Sequence, residues 1–515
     1  MNNADRLPRC TPEEAGFSSE QLEACLRALC HPETTMHGFM AARHGKVFAE
    51  AWWAPFAPDL PHSNHSFGKS YTAAAVGIAA GEGLVSLDER MTDIFADEIA
   101  QRGIRITDAR MQRITVRHVL SMSGGMKTMS TFRGDWIGAY FRSEMAHEPG
   151  THFYYNSAGS CMLGALVEKR TGRGLREYLT EKLFVPCGMD AKRFVWLRFP
   201  DGTYAEPGTF TTTENNLRLA MLYTQGGRWQ GRQVIPETFV RESLSIQTDT
   251  KDAPEQRDGR CGYGYQLWAC SIPGVFRFDG GQGQYGIIWP EKDLAISIHE
   301  GAWAHTGPQH TLDALYESLL RHISDTPLPE NPAAHRHLLE TEKALKCPDA
   351  EPNQLPMNPA FAGDWLVESG NAEPWLSVSP PGSWDFFTEF RDPAVPSALS
   401  RLGLTLHADA CELVINDTCR IRARWDGRLE RQEAQATVFP QLGAYSATAR
   451  FASEDLLEIT IRWINGWFVT RLFLQLEAPD RLRIESDKLR LTLGAEGLKG
   501  TSMARRVDTR EAERN

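Results

Sequence analysis

The sequence predicts an α+β domain followed by a separate all-β domain, and three observations carry that prediction. Strand-like runs sit near the start (residues 38–43 and 46–52) and recur at 275–279, 285–289 and 294–299, with helix-patterned chain between. A Pro-rich polar stretch at 324–331 interrupts the chain. Beyond Phe361 the pattern changes to short alternating strands, among them 404–407, 412–415, 456–463 and 467–474. Strands at the two ends of a helical middle must pair with each other in one sheet, flanked by helices and beside a helical lobe; a βαβ repeat would alternate instead.

Each element has its own signal. Residues 12–29 carry helical periodicity, with Leu22, Cys25, Leu26 and Leu29 on one side. His44-Gly45 between two β-rich runs signals a hairpin. A helix starts near Ser66, and further helical stretches follow to about Leu244. The turn Pro290-Glu291-Lys292-Asp293 separates the last two strand runs, and a final helix covers 309–323. The α+β domain is thereby placed at 1–325, a linker containing a short helix at 326–358, and an antiparallel barrel or sandwich at 359–508. Within the latter, Asn465-Gly466 signals a type I′ hairpin and Asp426-Gly427 a second. The charged residues from Arg505 onward read as a frayed end.

Composition narrows the function classes. The chain has 515 residues, 42% hydrophobic, with a formal net charge of -11. An acidic surface disfavours nucleic acid or anionic membrane as the main partner. The first residues lack the basic start and apolar stretch of a signal peptide, and no apolar run approaches the ~20 residues of a membrane span. Ten scattered cysteines form no Cys-x-x-Cys pair and no zinc spacing with histidine, so reduced thiols in a cytoplasmic protein are expected, with no metal and no cofactor.

Three stretches carry chemistry. Ser66-Phe67-Gly68-Lys69 precedes the Ala-rich run 71–80 and so sits at a helix start. There the positive end of the helix dipole favours a developing anion, and Lys69 lies one turn from Ser66 on the same face. A serine hydroxyl needs a base to become a nucleophile, and a neutral lysine supplies one. Second, Tyr154-Tyr155-Asn156 follows the turn Pro149-Gly150 and precedes a helix over 159–170. A phenol relays a proton and a carboxamide holds a substrate amide, roles suited to Tyr154 and Asn156. Third, Phe278-Asp279-Gly280-Gly281-Gln282-Gly283 lies between two strand runs, where glycines permit close backbone approach. His62 and His65 flank Ser66; lacking a third ligand, they read as packing residues.

Taken in order, these stretches resemble the penicillin-recognising serine hydrolases, a family that includes class C β-lactamases, D-amino-acid peptidases, nylon-oligomer amidases and class C-like esterases. Ser66/Lys69 match its Ser-x-x-Lys motif, and Tyr154/Asn156 its Tyr-x-Asn motif. The stretches Gly83-Leu84-Val85-Ser86-Leu87-Asp88 and His118-Val119-Leu120-Ser121-Met122-Ser123-Gly124-Gly125 are similar as well. The resemblance spans roughly 11–323 and implies a two-lobed β-lactamase/transpeptidase-like fold with the active site between the lobes. It implies an acyl-enzyme on Ser66, with Lys69 and Tyr154 as general base and acid. Asn156, Asp279, Gly280 and Gly281 would then bind substrate, and the N–H groups of Ser66 and Gly281 would hold the oxyanion.

The third motif departs from the family's Lys/His-Thr-Gly pattern, because Phe278 stands in the basic or polar position. A literal His305-Thr306-Gly307 runs into Pro308 and a helix, so it is set aside. Arg277 points to the face opposite Phe278 by strand alternation. β-Lactamase activity proper is therefore disfavoured, and Asp279 becomes a candidate for recognising an amine or hydroxyl. The expected function is hydrolysis of a small-molecule amide or ester. The alternatives are acyl transfer through the same acyl-enzyme, and a non-catalytic ligand-binding protein.

Overall fold

The computed structural model describes residues 6–130, 134–198, 202–253, 256–302, 306–372, 398–435, 437, 442–466, 469–488 and 498–507. The chain divides into two compact units. One comprises 1–51, 63–302 and 306–344; the other comprises 52–62, 303–305 and 345–515.

The first unit is built on a six-stranded antiparallel sheet. Its strands are β1 (Thr34–Arg43), β2 (Lys46–Trp52), β3 (Trp268–Ala269), β4 (Phe276–Gly280), β5 (Gln284–Trp289) and β6 (Leu294–Ala302). The order is β2-β1-β6-β5-β4-β3, so the first and last long strands pair as expected, with Phe39 opposite Ile298. His44 and Gly45 between β1 and β2 have φ of 52° and 75°, as the mirror-image hairpin turn requires. Every residue of β6 is buried, which is the signature of a strand covered on both faces.

Helix α1 (Ser19–Leu29) starts later than the periodicity from Pro12 suggests. Gly16 has φ of 84°, a left-handed conformation that ends any right-handed helix before it. Ser18 then opens the helix with a capping box shared with Gln21. A 3-10 turn (His65–Phe67) leads into α2 (Gly68–Gly81), buried from Gly68 to Ala79. α2 packs on α3 (Ser157–Thr171) in the helical lobe, while α4 (Thr213–Thr224) packs on β1, β5 and β6. Thr306 and Gly307 start α5 (Gly307–Ser318), so the stretch set aside as a rival motif opens a helix; its His305 lies outside the described residues. Helix α6 (Pro332–Ala344) lies within the stretch read as a linker, and its His337 meets Glu23 of α1 at 2.6 Å. Among the described residues, no helix is long and apolar enough to cross a membrane.

The second unit is a closed nine-strand barrel. Its strands are β7 (Gly363–Gly370), β8 (Arg401–Leu406), β9 (Ala410–Ile415), β10 (Cys419–Arg424), β12 (Ala444–Ser453), β13 (Leu456–Trp463), β14 (Val469–Ala478), β15 (Arg481–Lys488) and β16 (Leu498–Arg506). They run β10-β9-β8-β7-β16-β15-β14-β13-β12, and the barrel closes by pairing β10 with β12. The short β11 (Gln432–Glu433) flanks β12. Eight successive antiparallel neighbours leave the two end strands pointing the same way, so the closing pair, Arg424 with Thr448, is parallel. Arg505 and Arg506, read as frayed, are the last residues of β16; 508–515 lie outside the described residues.

β13 and β14 pair antiparallel, as the hairpin reading at Asn465-Gly466 expects, but neither Asn465 nor Asp426 takes the positive φ of a type I′ turn. Gly427 (φ 74°) instead presents its carbonyl to the Ala350 N–H at 2.9 Å. Asn465 lies in a longer connection from Arg462 to Val469, with Trp467 and Phe468 outside the described residues. Its side chain accepts the Ala444 N–H (2.9 Å) and donates to the Pro61 carbonyl (2.7 Å). The carboxamide thus bridges two backbone segments.

One buried acid marks the end of β6. Glu300 is fully buried and receives the Thr311 hydroxyl at 2.7 Å, while a Cβ on Gly283 would fall 1.7 Å from its Oε1. Burial holds its carboxyl well above the ordinary 4.5. The folded state therefore keeps a proton that the unfolded chain releases, and stability falls as pH rises from 4.5 toward the raised folded value. Glu300→Gln keeps the shape without the titration. Melting curves between about pH 5 and 9 should show a higher Tm for this variant than for wild type at the alkaline end. Parallel curves for the two proteins would contradict the assignment.

Candidate active site

The turn that carries Ser66 is assembled from both sides. Gly280, at the end of β4, meets the backbone just before Ser66 so closely that a Cβ would fall 2.0 Å from the Asn64 carbonyl oxygen. Only glycine fits there. Asn64 is itself fully buried and exchanges hydrogen bonds with Asn216 of α4 (2.9 and 3.3 Å). Tyr71 of α2 donates to Asn216 at 3.0 Å, and His299 of β6 lies 3.0 Å from Asn216 and 3.3 Å from Asn64. The turn is thus tied to α2, α4 and β6 at once. His65 follows with φ of 48°, a strained conformation for a side-chain-bearing residue, of the kind that persists where its surroundings over-determine it.

Ser66 comes next, half-buried. Lys69 is 1% exposed and donates from Nζ to Ser66 Oγ at 3.0 Å. The Ser-x-x-Lys pair read from the sequence is therefore in contact, at the start of a helix. Gly281 is exposed, and a Cβ on it would lie 3.9 Å from that of His65. Gly280 and Gly281 are thereby brought beside the Ser66 turn.

The tyrosines separate. The ring over Lys69 is that of Tyr155, with Nζ 5.0 Å from its centroid. The Tyr154 hydroxyl accepts the Met129 N–H at 3.1 Å. The two neighbouring side chains thus make different contacts, Tyr155 with Lys69 and Tyr154 with the Met129 backbone. Asn156 is buried and caps α3, accepting the Gly159 N–H (3.2 Å) and donating to Met126 Sδ (3.2 Å). Its carboxamide is used in holding the helical lobe together.

Tyr155 stacks on Trp268 of β3 (5.9 Å, 19°), and Met122, Phe153 and Tyr263 complete this aromatic cluster. Trp268 in turn lies 5.8 Å from the Arg277 guanidinium. Arg277 and Asp279, two residues apart on β4, share a face and form an ion pair at 2.7 Å. Phe278 points the other way, into the core against Phe67 and Tyr223, as alternation required. Burial raises the Asp279 carboxyl above its ordinary 3.8, against the opposing pull of Arg277. The carboxylate read as a substrate-recognising group is thus matched with a cation of its own strand. A surface hollow of about 630 Å³ extends from Tyr154 and Tyr155 along His152, Phe153 and the loop bearing Asp249 and Lys251.

His62 is buried, in line with a packing role. The sequence reading singled out Tyr154 of two neighbouring tyrosines, whereas the ring that lies against Lys69 is that of Tyr155.

Comparison with known proteins adds to this geometry. Over 140 residues the chain is 32% identical to penicillin-binding protein 4 of Amycolatopsis lactamdurans, covering 25% of this chain and 35% of that protein. Over 308 residues it is 25% identical to the 6-aminohexanoate-dimer hydrolase of Paenarthrobacter ureafaciens, covering 54% and 75%. The chain thus spans about a third of the first relative and three quarters of the second. A solved penicillin-binding protein homologue from Caulobacter crescentus aligns with a TM-score of 0.49 at 15% identity, over 60% of this chain and 99% of that one. The β-lactamase family model matches residues 36–302, more than half of the 515-residue sequence, and the chain belongs to that family.

Proposed function

We propose that this protein is a serine hydrolase that cleaves an amide or ester of a small substrate through an acyl-enzyme on Ser66. The observation that carries the proposal is the 3.0 Å hydrogen bond from buried Lys69 to the Ser66 hydroxyl. In this scheme Lys69, as its free amine, takes the Ser66 proton while Oγ attacks the carbonyl carbon. The backbone N–H groups of Ser66 and Gly281 receive the oxyanion; their place at a helix start and beside His65 supports that role. Tyr155, rather than Tyr154, returns the proton to the leaving group and then activates water for deacylation. Its contact with Lys69 supports the change. A relative named for hydrolysing 6-aminohexanoate dimer agrees with this reaction class.

The ion pair of Asp279 with Arg277 argues for a site that presents no unpaired cation from β4 to a substrate carboxylate. That supports neutral acyl groups over anionic β-lactams.

Intact-protein mass spectrometry after treatment with a fluorophosphonate should show one adduct on wild type and none on Ser66→Ala. Equal labelling of both proteins would place the nucleophile elsewhere. With a turned-over ester in hand, Tyr155→Phe should lower kcat by about 100- to 10,000-fold, the usual worth of a positioned general acid. Tyr154→Phe should stay within about 10-fold of wild type. The reverse ranking would return the proton relay to Tyr154.

A further inference from the structure

A second cluster of chemically capable side chains stands apart from Ser66. His31 and Glu33 lie on the short connection between α1 and β1, and His310 lies in the first turn of α5. One ligand atom from each falls within 4.8 Å of the other two. The Nδ1 atoms of His31 and His310 are 3.4 Å apart, and His310 Nδ1 is 3.2 Å from Glu33 Oε2. Two donors bound tetrahedrally at ~2.0–2.1 Å to one zinc ion stand about 3.3–3.4 Å apart, so both spacings suit a shared ion. We propose that His31, Glu33 and His310 form a divalent transition-metal site, suited to Zn²⁺.

The surroundings fit a metal site. Thr306 donates its hydroxyl to the same Glu33 Oε2 at 2.7 Å, the kind of outer contact that orients a ligating carboxylate. A hollow of about 250 Å³ opens beside the two histidines and leaves room for water in the fourth position. Two imidazoles and one carboxylate favour Zn²⁺ or its neighbours over Ca²⁺ or Mg²⁺, which prefer all-oxygen shells. Binding displaces the 3.2 Å contact from the Glu33 N–H to His31 Nδ1. The competing arrangement is a single proton shared among the two rings and the carboxylate, and the experiment below separates the two.

The fold explains why local spacing hid this cluster. Thr34, next to Glu33, pairs with Ala302 at the end of β6, and α5 begins at Gly307. The ion would therefore pin the entry to β1 against the helix that follows β6. The Ala302 N–H also bonds the Gln282 carbonyl (3.2 Å), so the cluster shares its end of the sheet with the glycine loop beside Ser66.

Full-length protein stripped with chelator and titrated with Zn²⁺ in a calorimeter should bind one ion per chain with a micromolar or tighter Kd. Co²⁺ in the same site should give the visible absorption of a tetrahedral complex. Thr306→Val should weaken Zn²⁺ binding about 10- to 100-fold, and His310→Gln should weaken it further. If His310→Gln does not fold by circular dichroism, His31→Ala takes its place. Absence of stoichiometric binding, or binding that survives loss of either histidine, would overturn the proposal and leave a proton-bridged cluster.

Discussion

The approach of Gly280 to the Asn64 carbonyl is the constraint on which the rest of the candidate site depends. It presses the end of β4 against the backbone that delivers Ser66. A side chain on either strand face at that point would force the two apart. Once they touch, His65 must adopt its left-handed conformation to carry the chain into α2. The cost of that strain is met by the buried Asn64–Asn216–Tyr71–His299 network, in which a polar residue from each neighbouring element is hydrogen-bonded. Ser66 and Lys69 are then one helical turn apart on a rigid support.

From there the order extends through stacked rings. Lys69 lies under Tyr155, Tyr155 on Trp268, and Trp268 beside Arg277. The stack joins the helical lobe to the sheet across the site. Its far end is a buried charge, Arg277, which pairs with Asp279 through Nε and donates from Nη1 to the carbonyls of Asp258 and Ala269. Asp258 in turn accepts from Ser271, Gln309 and Tyr316 at 2.7–2.9 Å. Buried charges are tolerated when they are paired and hydrogen-bonded, and such a network fixes geometry more than it adds stability. Here it locks the face of β4 that the sequence left open.

The barrel unit has a core of its own. Trp365 and Trp463 are fully buried, and the Trp365 indole donates to the Phe361 carbonyl at 3.0 Å with the Arg506 guanidinium 4.6 Å from its ring. Among the described residues, closure gives each of the nine barrel strands a neighbour on both sides, which limits the usual route to strand-edge association. The hairpin of β13 and β14 forms without a type I′ turn, because Asn-Gly and Asp-Gly encode a backbone preference only. Asn465 uses its carboxamide and Gly427 its carbonyl for contacts with distant segments, and those contacts outweigh the local preference.

What the sequence by itself determined was whatever depends on near neighbours along the chain. Ser66 and Lys69 meet because three residues make one helical turn. β1 and β2 pair because His44-Gly45 can take two positive φ angles, and Arg277 opposes Phe278 because strands alternate. The class of fold followed from the order of periodic segments. The tertiary structure alone decided which of Tyr154 and Tyr155 faces Lys69, that Asp279 is already paired, and that His31 and Glu33 stand beside His310. Each of those depends on the position of a partner distant in the sequence, or on the direction of a side chain in a segment of irregular backbone. Periodicity carries no information about either.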